Sequence, residues 1–214
     1  MTGPAGVGFA AQPIGDFLDQ LAARVPAPGG GASAALHAAQ AAALLAMVAR
    51  YTSGDRYAEH ADVVGAVLAE AEERRERCLG LADADADAFT AVGTAYRMPR
   101  GTPAEQEQRG AAVARALIGA AGPPADVVRA AAALVTLAER LLPVANRTVI
   151  TDVAAATDAA RAAASTARLN IEINLGGIQD DETRTDLLAV VALVDGIQER
   201  CDQVHRSVRE VIRR

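Results

Sequence analysis

The chain of 214 residues contains no tryptophan and no lysine, and aromatic residues make up only 3% of it. Without lysine there is no Schiff-base chemistry and no lysine general base. No segment alternates β-branched and polar residues for long, so strands are not expected. There are two cysteines, Cys78 and Cys201, far apart, and neither makes a metal-ligand spacing with the three histidines. No metal site is therefore expected, and His37, His60 and His205 read as structural. The net charge is −6, and the arginines are scattered apart from Arg206, Arg209, Arg213 and Arg214. A chain without a basic face is not expected to bind nucleic acid. No basic stretch precedes an apolar one as in a secretory signal, which gives the expectation of a cytoplasmic protein with reduced thiols. The one long apolar run, Ala34 to Ala49, is short, mostly alanine, and interrupted by His37 and Gln40. It reads as a buried core helix rather than a membrane span.

What the chain does have is alanine and clear helix punctuation. Alanine is the best helix former, and its small side chain lets helices approach closely. Helices are expected over Ile14 to Ala23, Ala32 to Tyr51, Ala58 to Tyr96 with a weak point near Gly80, Pro103 up to Pro123-Pro124, Ala125 to Leu142, Thr148 to Asn174, and from Asp180 or Asp181 to the C-terminus. Prolines and glycines mark the breaks. Thr102 and Glu105 form a capping-box pattern around Pro103. No linker divides the chain. The expectation is an all-α, single-domain bundle over residues 1–214.

The most informative segment is Leu81-Ala82-Asp83-Ala84-Asp85-Ala86-Asp87-Ala88-Phe89. On a helix, Asp83 and Asp87 share one face. Asp85 points the other way, into line with Cys78, Leu81, Ala88, Phe89, Val92 and Tyr96. A carboxylate in an apolar stripe either shifts its pKa upward or finds a partner, and such groups are candidates for acid/base work. The bland alternative is a carboxylate neutralised by a nearby arginine in a bundle core. Asp83 and Asp87 read as solvated surface charges.

A second motif is Pro26-Ala27-Pro28-Gly29-Gly30-Gly31-Ala32-Ser33. Bare glycines at a helix start let backbone N–H groups approach an anion; the alternative is a tight turn between touching helices. Asn146, Thr151, Asp152, Asn170 and Asn174 form a polar set on or beside an alanine-rich helix. Asn170 and Asn174, four apart, can read a heterocycle edge or satisfy a helix end. Arg97 and Arg100 flank Met98-Pro99 in a loop, where guanidiniums suit a carboxylate or simply face water.

Taken together and in order, these segments resemble the cyclodeaminase/cyclohydrolase family. That family comprises the C-terminal domain of bifunctional formiminotransferase-cyclodeaminase and the stand-alone bacterial methenyltetrahydrofolate cyclohydrolases. The resemblance covers nearly the whole chain. It rests on Phe17-Leu18, the proline-glycine segment, Met47-Val48, the aspartate-alanine segment running into Tyr96-Arg97-Met98-Pro99, Asn146 with Thr151-Asp152, and Asn170 to Leu175 with Ile178 and Asp180. It implies a helical subunit that forms a homodimer around a folate cleft, with no metal and no redox cofactor. The second aspartate of the motif is the family's assigned catalytic residue in the deaminase, and it matches Asp85; Asp83 matches the first. The implied substrate contacts are Gly29, Gly30, Gly31, Ser33, Arg56, Arg97, Asn146, Asp152, Asn170 and Asn174. The implied reaction is hydrolysis of 5,10-methenyltetrahydrofolate to 10-formyltetrahydrofolate. Formimidoyltetrahydrofolate cyclodeamination and a non-catalytic folate-binding role are the alternatives.

Three departures stand out. Gly54-Asp55-Arg56-Tyr57 carries one basic residue where the family places two or three after its glycine. Met98-Pro99-Arg100 replaces Leu-Pro-Lys, and His37 occupies a normally small position.

Overall fold

The computed structural model describes residues 8–214; the first seven residues of the expected domain lie outside the described residues. Six α-helices account for most of it: α1 (Ile14–Ala22), α2 (Gly30–Tyr51), α3 (Ala61–Tyr96), α4 (Pro103–Leu141), α5 (Ile150–Leu175) and α6 (Asp181–Arg213). Short 3-10 turns at Phe9–Ala11, Asp55–His60 and Arg147–Val149 connect them, and no strand occurs among the described residues.

Helices α2, α3, α4 and α5 pack around one core, and α6 lies against α4 and α5. The interior of α2 is built from Ala32, Ala35, Ala38 and Ala42, and that of α5 from Ala160, Ala163, Ala164 and Ala167, all fully buried. Each buried methyl contributes only about 0.8 kcal/mol from leaving water. The core gains instead from the number of such contacts and from backbones brought close together. Leu45, Leu134, Leu137, Leu141 and Ile171 fill the wider spaces. Helix α2 is long and apolar enough to cross a membrane by length and composition. Twelve of its residues are nonetheless buried in this bundle, in keeping with the core-helix reading.

Two expected breaks are absent. Pro123 and Pro124 lie inside the continuous helix α4. A proline ring clashes with the preceding residue's Cβ and with the carbonyl four residues back. Before Pro123 stands Gly122, which has no Cβ to meet the ring. Burial of Leu117, Ala121, Pro124, Ala125 and Val128 holds the two halves in line. Gly80 does not interrupt α3 either; a mid-helix glycine costs about 1 kcal/mol, which the buried Cys78 and Ala82 on either side offset.

Ends are displaced by a few residues. Gly30 and Gly31 fall inside the first turn of α2 rather than before it. The expected start of α3 near Ala58 belongs to a 3-10 turn, and α5 begins at Ile150, not Thr148. Capping chemistry behaves as read. The Thr102 hydroxyl accepts from the Glu105 N–H at 3.2 Å, and Glu105 accepts from the Thr102 N–H at 2.9 Å. Asp180 caps α6 by accepting from the Thr183 N–H at 2.8 Å, and this bonding holds its pKa below the usual aspartate value.

Candidate active site

The site is built on the N-terminal turn of α2. Gly29 is its cap residue and offers no side chain; its carbonyl accepts from both the N–H and the hydroxyl of Ser33 at 3.0 Å. The first-turn N–H groups of a helix have no partner within it and carry partial positive charge. Asp85 comes from the middle of α3 to meet them: the Ala32 N–H hydrogen-bonds to its carboxylate. Its carboxyl group lies on the Cα of Gly31, where an added Cβ would overlap both oxygens and the carboxyl carbon. Gly31 is therefore the seat of Asp85.

Two opposed forces set the protonation of Asp85. Burial disfavours the anion and raises the pKa; the Ala32 N–H favours the anion and lowers it. Desolvation is the larger, so the pKa stands above the ordinary aspartate value. No arginine neutralises it, so the ion-paired core carboxylate weighed from the sequence is not what is found.

The apolar stripe around Asp85 is narrower than its spacing suggests. Cys78 and Ala82 are buried, but Phe89 is 54% exposed and Tyr96 50% exposed. Asp83 is half-buried rather than solvated: its Oδ1 accepts from the Phe9 N–H at 2.8 Å, pinning the segment that precedes α1. Asp87 is exposed, as expected.

On the other flank of the turn, Gly30 faces α5. A Cβ there would stand 3.8 Å from Thr166 and 3.9 Å from the Asn170 amide. Asn170 donates to the Thr166 carbonyl at 3.2 Å, and Asn174 donates to the Asn170 carbonyl at 2.7 Å. The two amides are neighbours on one face, as their spacing requires. Both spend an N–H on their own helix, and among the described residues their Oδ1 atoms accept no hydrogen bond. Gly29, Gly30, Gly31, Ser33, Asp85, Asn170 and Asn174 are thus brought together, with Asp83 close by on α3.

The remaining candidates lie elsewhere. Arg97 is exposed at the end of α3, bonded to Thr94 at 3.2 Å, about 18 Å along the helix from Asp85. Asn146 ties the end of α2 to the start of α5. It donates to the Tyr51 carbonyl at 2.8 Å and to the Thr52 hydroxyl at 3.0 Å, and accepts from Thr148. Arg56 stacks on the Tyr57 ring at 5.6 Å, beyond Gly54 with its positive φ of 89°. Asp152 is in the first turn of α5. Asn146, Arg56 and Asp152 sit at the opposite end of α2, about 30 Å from Gly31, so one subunit does not bring them to Asp85.

Neither cysteine joins the site. Both are buried and unbridged, and burial pushes the Cys78 thiol up to about 11. The histidines pair locally: His37 with Gln40, His60 with Glu59 and His205 with Asp158. Sequence reasoning missed Thr166 and the Phe9 backbone, neither of which carries a motif signal.

The chain has relatives among known proteins. Residues 13–192 match the formiminotransferase-cyclodeaminase family. A methenyltetrahydrofolate cyclohydrolase from Methylorubrum extorquens is 34% identical over 199 residues, covering 91% of this chain and 96% of the relative. The formimidoyltransferase-cyclodeaminase of Mus musculus is 32% identical over 166 residues, covering 77% of this chain but only 31% of that longer protein. A crystal structure of formiminotetrahydrofolate cyclodeaminase from Thermotoga maritima superposes with a TM-score of 0.79 at 28% identity, covering 94% of this chain and 96% of that one. With the match running through α1 to α5 and the Asp85 site, the chain belongs to the formiminotransferase-cyclodeaminase family.

Proposed function

We propose that this protein hydrolyses 5,10-methenyltetrahydrofolate to 10-formyltetrahydrofolate, with Asp85 as the general acid/base. The observation that carries the reading is a half-buried carboxyl group on the bare backbone of Gly31, with a pKa raised by desolvation and no cationic side chain neutralising it. The substrate bears an amidinium-like cation across N5 and N10. As an anion, Asp85 attracts that cation and takes a proton from the attacking water; once protonated, it delivers the proton to N5 as the C–N5 bond opens, and the remaining hydroxyl proton leaves to solvent as the formyl C=O forms. General acid/base help of this kind is worth on the order of 10²–10⁴ in rate. In this reading the Oδ1 atoms of Asn170 and Asn174 would accept from the pterin edge, with Gly29 and Gly30 forming the floor. The chemistry requires neither metal nor redox cofactor, and the reading has the protein act in the cytoplasm.

The reading includes a homodimer. Leu169 and Ile173 on α5 are 65% and 80% exposed, one turn from the Asn170 pair. Apolar side chains so placed are suited to covering by a second copy.

The test is spectrophotometric: decay of the methenyl absorbance with wild type and with Asp85→Asn. The variant is expected to retain helicity and lose at least a hundredfold in turnover. Wild-type rates in the variant would refute the role. A second reading, cyclodeamination of formimidoyltetrahydrofolate with loss of ammonia, is favoured by the likeness to the Thermotoga maritima protein over 94% of this chain. Ammonia release from the formimino substrate, faster than methenyl hydrolysis, selects it.

A further inference from the structure

We propose that the cavity between α1 and α2 binds a flat heteroaromatic ring that carries an amide-like hydrogen-bonding edge. The cavity has a volume of about 460 Å³, within the roughly 300–1,000 Å³ usual for small-molecule sites. Its walls are apolar, with Phe9, Phe17, Leu36 and Leu79 among them. The Phe9 and Phe17 rings meet edge to face, with centroids 5.5 Å apart, and form an aromatic end wall.

The polar groups converge from one face of α2: Ser33, His37 and Gln40 all line the cavity. His37 Nδ1 lies 3.3 Å from Gln40 Oε1. A proton on Nδ1 fixes the amide orientation and leaves its two N–H donors and one oxygen lone pair for a ligand. The Ser33 hydroxyl donates to the Gly29 carbonyl, so its oxygen is an acceptor towards the cavity. Paired donors and acceptors of this kind match the ring amide of a pterin or an oxopurine. They are wasted on a hydrocarbon. Arg75 also lines the cavity; its Nη2 pairs at 2.6 Å with Glu72, which Arg50 shares.

The cavity opens beside Ser33, about 200° around α2 from Gly31, so it lies on a different side of that helix from the Asp85 carboxyl group. Phe9 forms a wall and donates its N–H to Asp83. The reacting carbon of a methenylfolate is fused to its pterin ring and must reach Asp85, so the occupant of this cavity is a separate ring compound.

The test uses the full chain and pterin itself as the probe. With no tryptophan in the chain, pterin emission is read directly. Titration is expected to give saturable anisotropy. Gln40→Leu removes the reading amide, and Ala43→Phe fills the mouth from a lining position; each is expected to weaken binding at least tenfold with helicity retained. No saturable binding, or wild-type affinity in either variant, overturns the proposal. Pterin held in this cavity leaves the methenylfolate site open, so any inhibition of methenyl hydrolysis is expected to be non-competitive; purely competitive inhibition would put the pterin at the Asp85 site and overturn the proposal. Binding requires no turnover, so an inactive protein that binds pterin refutes the proposed function alone.

Discussion

The carboxyl group of Asp85 rests on the Cα of Gly31, and no other residue type can occupy position 31 without displacing it. Gly31→Ala is therefore an active-site substitution made without touching a polar atom. The new methyl must push the carboxyl group away from the Ala32 N–H or separate α2 from α3. Overpacking of this kind costs about 1–3 kcal/mol. Turnover is expected to fall nearly as far as in Asp85→Asn, while thermal unfolding shows lowered stability. A Gly31→Ala protein with normal kcat would show that the carboxyl group does not need this seat.

Asp83 and Asp85 are two residues apart and serve different ends. Asp83 spends an oxygen on the Phe9 backbone, fastening the segment ahead of α1. Asp83→Ala is expected to lose about 1 kcal/mol, the usual net worth of one hydrogen bond, and to speed proteolysis near Phe9. Its effect on kcat should be far smaller than that of Asp85→Asn. Equal loss of kcat in the two variants would place Asp83 in the chemistry itself.

Particular residues explain what the sequence made legible. Asp85 stood out because helix periodicity separates it from Asp83 and Asp87; burial distinguishes it from the exposed Asp87 but not from Asp83, which is half-buried too. The Thr102–Glu105 box was legible because both halves of the motif are local. The seat on Gly31 was not, since it depends on how α3 crosses α2. The distance from Asn146 to Asp85 was equally hidden, because order along a chain does not reveal which end of a helix a residue meets. Pro123-Pro124 misled because proline's penalty depends on its neighbours. Gly122 admits the first ring because it lacks a Cβ, so Gly122→Val restores the clash before Pro123. It is expected to destabilise the protein by about 2 kcal/mol or more, whereas Gly110→Val, in the same helix away from the prolines, is expected to gain slightly, valine being the better helix former. Urea unfolding of the two variants decides this, and equal midpoints would remove the explanation.

The raised pKa of Asp85 has a consequence for stability with a definite sign. In the unfolded chain the group titrates near 3.8; in the folded protein burial raises that value. Between the two values the folded state holds the proton more tightly than the unfolded one, so stability falls as pH rises through that window. Above the folded pKa the loss is complete and flat. Asparagine cannot ionise, so Asp85→Asn is expected to gain stability over wild type as pH climbs from about 4 through that window. Turnover moves the opposite way: wild-type kcat rises with pH as the base form accumulates. Melting temperatures of the two proteins across pH, set beside the wild-type rate profile, check both trends at once. Parallel melting curves with no divergence would mean that Asp85 titrates as an ordinary exposed aspartate, and the catalytic assignment would lose its electrostatic basis.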